Sequence, residues 1–349
     1  MKVVIAGASG NVGTALLRAL AGTGWELVGL ARRPPGTGTA PYSAARWVTC
    51  DLSSAGAPTV LREVCAGAAA VVHLAWAVYP LTTEPPMART NAGGTERLLA
   101  AVAAAAVPHL VCASSVAAYR PAGERPVTED WPLDGVPGSA YSAGKATLES
   151  DLDTFERRHP HVRLTRIRPC GIVQRDAATE LASWLLSPLL PRRVLGRRWL
   201  PVPLWPGLRL QVVHADDVAQ AIRLILTERA TGAFNLAADP VLRAPAVARI
   251  VGGALLPTPL TALSGAAWLG WRLGVQPLHP GWLRLADQAS IVDSGRARRE
   301  LGWSPAYGAA EAVAEFVTAA RERHRGASPP LCPPEPLRFG RPTRQSQRT

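Results

Sequence analysis

The residues best suited to chemistry are a tyrosine and a lysine four positions apart, Tyr141 and Lys145. The chain holds 36 arginines and only two lysines, so a lysine at position 145 indicates a task that a permanently charged guanidinium would not serve. Residues four apart on a helix share a face, so the phenol and the ammonium can meet at one substrate. A nearby cation lowers the pKa of a phenol from its usual value of about 10, which suits proton transfer near neutral pH. The alternative is a chance pair on a solvated helix.

A glycine-rich turn near the start of the chain predicts a dinucleotide site. Residues 3–6 are an apolar run typical of a buried parallel strand, and a leucine-rich helical pattern follows the turn. Gly7, Gly10 and Gly13 lie between these two elements. Glycines in this context allow a tight turn, close approach of a diphosphate to the helix N-terminus, and close packing of the helix on the strand. A plain strand–helix connection is the alternative.

The end of the next predicted strand bears on the choice of cofactor. Residues 26–30 form a second apolar run, and Arg32 and Arg33 follow it. An acidic residue at this point would bind the adenosine ribose of NAD, whereas an arginine suits the 2′-phosphate of NADP. The sequence therefore predicts NADP(H) as the preferred cofactor, with NAD(H) as the alternative. A solvated loop charge in an arginine-rich chain would explain the same residues.

These motifs together resemble the short-chain dehydrogenase/reductase superfamily, and the length and later segments resemble its extended, epimerase/dehydratase-like branch. The resemblance runs from residue 1 to about 320, with the motifs in the family's order. Its later segments are His73-Leu74-Ala75, Asn91-Ala92-Gly93-Gly94-Thr95, Ser114-Ser115, Arg168-Pro169, His214 to Asp217, and Leu301-Gly302-Trp303.

The resemblance implies roles for individual residues. Ser115, Tyr141 and Lys145 would be the catalytic residues: the serine binds the reacting oxygen, the tyrosine transfers the proton, and the lysine lowers the tyrosine pKa and holds the nicotinamide ribose. A metal site is not expected. The cofactor would contact Gly7, Ser9, Gly10, Asn11, Val12, Gly13, Arg32, Arg33, Asp51, Leu52, Leu74, Ala75, Asn91, Ser114, Tyr141, Lys145, Pro169 and Ile172.

The implied fold class is α/β: a Rossmann-type, doubly wound parallel sheet with a smaller, mostly helical C-terminal substrate lobe. We expect the NAD(P)-binding domain to span residues 1–173 and about 207–240. The substrate lobe would take about 174–206 and 241–325. Residues 326–349 are rich in proline, arginine, serine and glutamine, and this composition predicts a disordered tail.

The expected function is hydride transfer between a nicotinamide cofactor and a ketone or secondary alcohol. Seven tryptophans in the predicted lobe favour a fairly apolar substrate, although tryptophan also fills ordinary cores. A nucleotide-sugar epimerase or dehydratase is the alternative; such epimerases usually carry an arginine at the position of Leu210, and here Arg209 is one place away. A non-enzymatic NADP-binding sensor is the alternative of another class, but sensors often lose the tyrosine or the lysine.

Composition narrows the remaining choices. The net charge is +12, but the basic residues are dispersed and form no nucleic-acid motif, so we expect no nucleic-acid partner. Five cysteines without Cys-x-x-Cys spacing, and a start without a signal peptide, favour a cytoplasmic protein with reduced thiols. Residues 251–271 are uncharged and contain two prolines, which favours a buried or substrate-covering helical region over peripheral membrane contact. A homodimer is compatible with the sequence.

Overall fold

The computed structural model of the protein describes residues 1–78, 88–185, 191–273 and 279–332. Its strands are β1 Lys2–Ala6, β2 Glu26–Ala31, β3 Ala45–Thr49, β4 Ala70–His73, β5 His109–Ala113, β6 Arg163–Pro169, β7 Gly171–Val173, β8 Pro201–Leu204, β9 Val212–His214, β10 Gly232–Leu236 and β11 Ala254–Pro257. Its α-helices are α1 Asn11–Leu20, α2 Ala57–Cys65, α3 Gly94–Ala104, α4 Ala140–Arg158, α5 Ala178–Leu185, α6 Ala215–Glu228, α7 Ala244–Val251, α8 Leu260–Arg272, α9 Pro280–Gln288, α10 Gly295–Leu301 and α11 Ala309–Arg321.

The central sheet has seven parallel strands in the order β3-β2-β1-β4-β5-β6-β10. The chain leaves β1 toward β2 and β3 and then returns to add β4 on the other side, so the direction of winding switches between β1 and β4. Ligands of open α/β sheets bind at this switch, beyond the carboxyl ends of the strands. The predicted Rossmann-type α/β fold is confirmed.

Helices cover both faces of the sheet, and each face has its own apolar core. Helices α1, α6 and α10 pack on one face around residues such as Ile5, Leu16 and Ile222. Helices α2, α3 and α4 pack on the other around Val71 and Leu98. Burial on both faces explains why the strand sequences are continuous apolar runs rather than alternating ones.

The later part of the chain builds a second, mostly helical region, here called the C-terminal lobe (residues 191–206 and 241–325). Strands β8 and β11 pair in parallel there, and helices α7 and α11 pack around Trp205, Leu242 and Val313. The Asp217 carboxylate accepts hydrogen bonds from the Ala306 and Tyr307 amides, which fastens the lobe to α6 of the central domain.

Two sequence expectations differ from the structure here. The disordered tail predicted from residue 326 is wrong for residues 326–332, because Ser328 and Leu331 are fully buried. The Ser328 hydroxyl donates to the Ser9 carbonyl at 2.6 Å, and the Gly326 amide donates to the Asp176 carbonyl at 3.1 Å. These two hydrogen bonds and the buried side chain of Leu331 hold the segment in place despite its polar composition. Residues 333–349 of the predicted tail lie outside the described residues.

The second difference concerns residues 251–271. They form the end of α7, strand β11 and most of α8, and α8 contains no buried residue at all. The expectation of a buried helix is therefore wrong, because α8 packs on the lobe with only one partly covered side. Within the described residues, no helix is both long enough and apolar enough to cross a membrane.

Candidate active site

The glycine-rich turn has the shape that a bound diphosphate requires. Gly7 has a φ of +86°, and a Cβ on it would lie 2.7 Å from the amide nitrogen of Ala75. A Cβ on Gly13 would lie 2.3 Å from the Gly7 carbonyl oxygen. The N-terminus of α1, at Asn11 and Val12, follows directly and contributes its partial positive charge. The turn thus fits a dinucleotide, and only glycine is compatible with its two tightest positions.

The loop after β4 crosses this turn and is held in place by Asn91. The Leu74 amide donates to the Ala6 carbonyl at 2.8 Å, which extends the pairing of β4 with β1. The Asn91 side-chain amide accepts from the Ala77 amide at 2.7 Å and donates to the Ala77 carbonyl at 2.9 Å. Asn91 therefore fixes the backbone of the segment that includes Leu74, Ala75 and Trp76.

Ser115 lies at the end of β5, where a short 3₁₀ turn begins. Its hydroxyl accepts a hydrogen bond from the Ala117 amide at 3.1 Å and lies 3.5 Å from the Pro169 carbonyl at the end of β6. It is close enough to the Tyr141 phenol to affect the pKa of that group. Ser114, its neighbour, is buried as well. The two strand ends thus bring the serine to the tyrosine, as the order of the motifs predicts.

Tyr141 is in the first turn of α4, which Ser139 caps by accepting from the Ser142 amide. Burial raises the pKa of the Tyr141 phenol, and its hydrogen bond with Ser115 acts in the opposite direction. The indole of Trp282 from α9 packs against the phenol, with ring centroids 5.2 Å apart. The C-terminal lobe therefore supplies an aromatic wall next to the predicted proton donor.

Lys145 follows one turn later and is 3% exposed. Its ammonium donates to the Ala113 carbonyl at 2.9 Å and lies 3.6 Å from the centroid of the Trp76 ring. Burial lowers the pKa of Lys145 to about 7, although Glu149 raises it. The ammonium is 6.0 Å from the Tyr141 ring centroid, and the tyrosine pKa is raised rather than lowered. The sequence expectation that Lys145 lowers this pKa does not hold in the protein alone, because burial outweighs a charge at that distance.

Behind Lys145, a buried ion pair joins α4 to β6. Arg168 donates two hydrogen bonds to the Glu149 carboxylate, at 2.7 and 2.9 Å, and a third to the Tyr119 hydroxyl at 2.8 Å. Tyr119 in turn donates to Asn235 on β10 at 2.7 Å. The pKa of Glu149 is lowered even though burial raises it, because Arg168 is its partner. This network holds in place the helix that carries Tyr141 and Lys145.

The carboxyl ends of β2 and β3, on the other side of β1, carry the residues predicted to meet the adenosine. Asp51 accepts two hydrogen bonds from Ser53, at 2.9 Å from the amide and 2.7 Å from the hydroxyl. Burial raises the pKa of Asp51, but these bonds and the charges of Arg32 and Arg89 lower it below its ordinary value. Arg32 and Arg33 are exposed, and Leu52 is buried beneath α3.

The remaining predicted contacts also gather around the turn. The Asn11 side chain donates to the Ile172 carbonyl at 3.2 Å, and Gln174 donates to the Asn11 side chain at 2.6 Å. Ser9 is buried under Ser328. The predicted residues therefore form two groups near the carboxyl ends of the strands: one at Arg32, Arg33, Asp51 and Leu52, where the adenosine is predicted, and one near Tyr141 and Lys145. The glycine-rich turn connects them.

Sequence reasoning missed the contacts of two tryptophans in this region and the charge state of His73. Trp76 and Trp282 flank the lysine and the tyrosine, yet each is far from them in sequence. His73 is buried, and its Nε2 shares a hydrogen bond of 2.9 Å with the Thr95 hydroxyl. Burial lowers the pKa of His73 to about 3, so the ring is neutral at neutral pH. The one signal in the sequence for the buried pair of Glu149 and Arg168 was the position of Glu149, four residues after Lys145 and therefore on the same face of the helix.

Comparison with known proteins agrees with this geometry. Residues 3–237 match the model of the NAD dependent epimerase/dehydratase family. The chain belongs to this family. The predictions of this family and of an enzyme are therefore confirmed.

Individual relatives are similar over most of their length. A 3-diazoavenalumate denitrifying reductase from a Streptomyces species is 31% identical over 326 residues, which cover 88% of this chain and 97% of that protein. The dTDP-glucose 4,6-dehydratase of Streptomyces griseus is 28% identical over 354 residues, which cover 95% and 97%. The UDP-glucose 4-epimerase of Thermus thermophilus, solved with NAD, has a TM-score of 0.67 at 23% identity, covering 92% of this chain and 99% of that one.

Proposed function

We propose that the protein transfers hydride between a nicotinamide cofactor and a ketone or secondary alcohol of a fairly apolar substrate. The observation that carries the proposal is that Ser115 lies close enough to Tyr141 to affect its pKa, while the buried Lys145 lies one helical turn away, with its ammonium 6.0 Å from the centroid of the Tyr141 ring. The cofactor, when bound, supplies or accepts the hydride. In reduction, Tyr141 donates its phenolic proton to the carbonyl oxygen, while the Ser115 hydroxyl hydrogen-bonds the same oxygen and stabilises its developing charge.

The surroundings of the tyrosine support an apolar substrate. The indole of Trp282 lies against the Tyr141 ring, and Leu285 from the same helix is buried nearby. Arg209, the arginine nearest the position that nucleotide-sugar epimerases use, instead donates to the Asp287 carbonyl and lies 3.9 Å from Glu124. Its side chain is 11% exposed, so it is engaged by the protein rather than free for a diphosphate.

The second candidate is a nucleotide-sugar epimerase or dehydratase. Two similar proteins carry such names, the Streptomyces dehydratase and the Thermus epimerase. Both candidates use the same residues, and they differ in whether the cofactor is consumed. A reductase oxidises NAD(P)H stoichiometrically with ketone, whereas an epimerase or dehydratase converts a nucleotide sugar and leaves the cofactor unchanged.

The deciding experiment follows NADPH and NADH absorbance across a panel of aryl and alkyl ketones, and in parallel follows product formation from UDP- and dTDP-sugars. Net consumption with a ketone supports the proposal. Conversion of a nucleotide sugar without net consumption replaces it with the second candidate. We expect this activity in the cytoplasm, where both cofactors are abundant.

We also propose that NADP(H) is preferred over NAD(H), which the relatives solved with NAD leave open. Arg32 is exposed at the end of β2 and close enough to Asp51 to lower the pKa of its carboxyl. Arg32→Glu should raise the KM for NADPH roughly tenfold and leave the KM for NADH nearly unchanged. Arg46→Glu, on the neighbouring β3, is the charge-matched control. Equal KM values for both cofactors in the unmodified enzyme would contradict the preference.

A further inference from the structure

Helix α8, Leu260–Arg272, presents an apolar face that is exposed in the part of the chain that the structure describes. Leu263 and Ala267 are partly covered and lie on the inner side, at helical spacing. The exposed side carries Ala262, Ala266 and Leu269, and Leu273 continues it past the helix end. Leu269 is 53% exposed, Leu273 68%, and Trp268, at the border of this face, 53%. The face contains leucine and tryptophan where a helix with one solvated side normally carries charge.

The small sheet beside α8 also exposes large apolar side chains. Helix α8 packs on β8, and β8 pairs with β11. Leu256 on β11 is 50% exposed, and Trp199, just before β8, is 68% exposed. Large exposed tryptophans and leucines concentrated in one lobe, rather than scattered singly, are typical of a contact surface.

The charge of the same lobe identifies the kind of partner. Residues 181–215 contain five arginines and residues 240–286 contain four, and neither stretch contains an aspartate or a glutamate. Arg193, Arg197 and Arg198 are exposed beside Trp199, and Arg272 lies over the Trp268 ring at 5.6 Å. This surface combines interfacial aromatic residues with a one-sided positive charge. Anionic phospholipid surfaces attract this combination, since arginines bind the headgroups while tryptophan and leucine enter the acyl boundary.

We propose that α8 and the adjoining β8–β11 edge bind peripherally to an anionic phospholipid bilayer. The helix is about 20 Å long and is too short to span a bilayer, so it would lie in the plane of the interface. Two copies of the chain meeting on this face would bring their arginine-rich stretches without acidic residues together, and the mutual repulsion of these stretches argues against self-association. The inference rests on the lobe alone and is independent of the reaction at Tyr141.

The test uses the full-length protein and vesicles of phosphatidylcholine, with or without three-tenths phosphatidylglycerol. We expect sedimentation with the anionic vesicles, at least roughly tenfold weaker association with the neutral ones, and weakening as salt rises. Tryptophan emission should shift to shorter wavelength on binding. Failure of the unmodified protein to bind anionic vesicles would overturn the proposal.

Three double variants distinguish binding through the apolar face from binding that depends on the net positive charge alone. The double variant Trp268→Glu with Leu269→Glu should abolish vesicle binding while thermal unfolding stays near that of the unmodified protein, because both side chains are exposed. Arg197→Glu with Arg198→Glu should weaken binding at least roughly tenfold. Arg157→Glu with Arg158→Glu changes the net charge equally, on exposed residues of the central domain, and should retain binding. Equal loss in both arginine pairs would overturn the proposal. A dimer lost in the first variant, without vesicle binding by the unmodified protein, would assign the face to a second copy instead.

Discussion

The central domain and the C-terminal lobe use arginine in opposite ways. In the central domain, Arg168 is almost fully buried and makes two hydrogen bonds to the equally buried Glu149. In the lobe, Arg193, Arg197 and Arg198 are exposed, in a stretch without a single acidic residue. The buried pair holds in place the helix that carries Tyr141 and Lys145, because removing either partner would leave the other charge buried without its counter-ion. The exposed arginines hold no other part of the described chain in place. They instead give the surface of the lobe a positive electrostatic field, which a binding partner would meet.

The largest effect should come from the phenol of the central domain. Tyr141→Phe removes the proton donor and should lower kcat by roughly 10²–10⁴-fold, while cofactor binding is nearly unchanged. The matched change Tyr307→Phe, in the lobe, should leave kcat within about twofold. Steady-state kinetics together with cofactor titration measures both. Full turnover by Tyr141→Phe would remove the proposed mechanism.

The buried ion pair should dominate stability. Glu149→Ala leaves the Arg168 guanidinium uncompensated and should cost about 3–5 kcal/mol of unfolding free energy. Glu322→Ala breaks a half-exposed pair with Arg175 and should cost less than about 1 kcal/mol. Because the folded pKa of Glu149 is below its ordinary value, its contribution is present at neutral pH and is lost as the pH falls through the folded pKa. Denaturant unfolding at pH 7 and in acid tests this, and similar losses in both variants would contradict it.

The buried lysine predicts an unusual pH dependence. The folded pKa of Lys145 is about 7, below its ordinary value of 10.5, so the unfolded chain binds more protons between these values. Stability should therefore rise from pH 7 toward pH 10, with a slope of up to about 1.4 kcal/mol per pH unit from this group. In Lys145→Met this rise should be absent. The measurement is the unfolding free energy of the cofactor-free protein and of Lys145→Met at a series of pH values. The same pH dependence in both proteins would show that burial does not lower the pKa of Lys145.

The smallest effect concerns the indole above the lysine. Trp76→Leu removes the aromatic face 3.6 Å from the Lys145 ammonium and should cost about 1–2 kcal/mol of stability. Trp76→Phe retains a weaker face and should recover part of the loss. Trp199→Leu, at an exposed tryptophan of the lobe, should change the unfolding free energy very little. Equal effects at both tryptophans would show that the cation–π contact contributes nothing.

The sequence predicted the fold and the grouping of candidate residues because their signals are local or ordered along the chain. The glycine turn, the hydroxyl-ended strand and the Tyr141–Lys145 spacing each lie within a few residues, and the topology of a doubly wound sheet brings strand ends together. Trp76 on Lys145 and Trp282 on Tyr141 could not be predicted, since they join residues more than sixty positions apart through loop and lobe geometry. The exposed face of α8 was missed because an uncharged run of that length is equally typical of a core helix.

The hydrogen bond from Ser328 to Ser9 has a consequence for the order in which the protein is made. The two residues are 319 positions apart in the sequence. Ser328 nevertheless completes the burial of the glycine-rich turn that contains Ser9. At about 5–20 residues per second, a ribosome adds Ser328 roughly 15–60 seconds after Ser9. The glycine-rich turn is thus synthesised well before the segment that completes its burial. A nascent chain that has its whole parallel sheet but lacks residues 326–332 should hold its cofactor turn open to solvent.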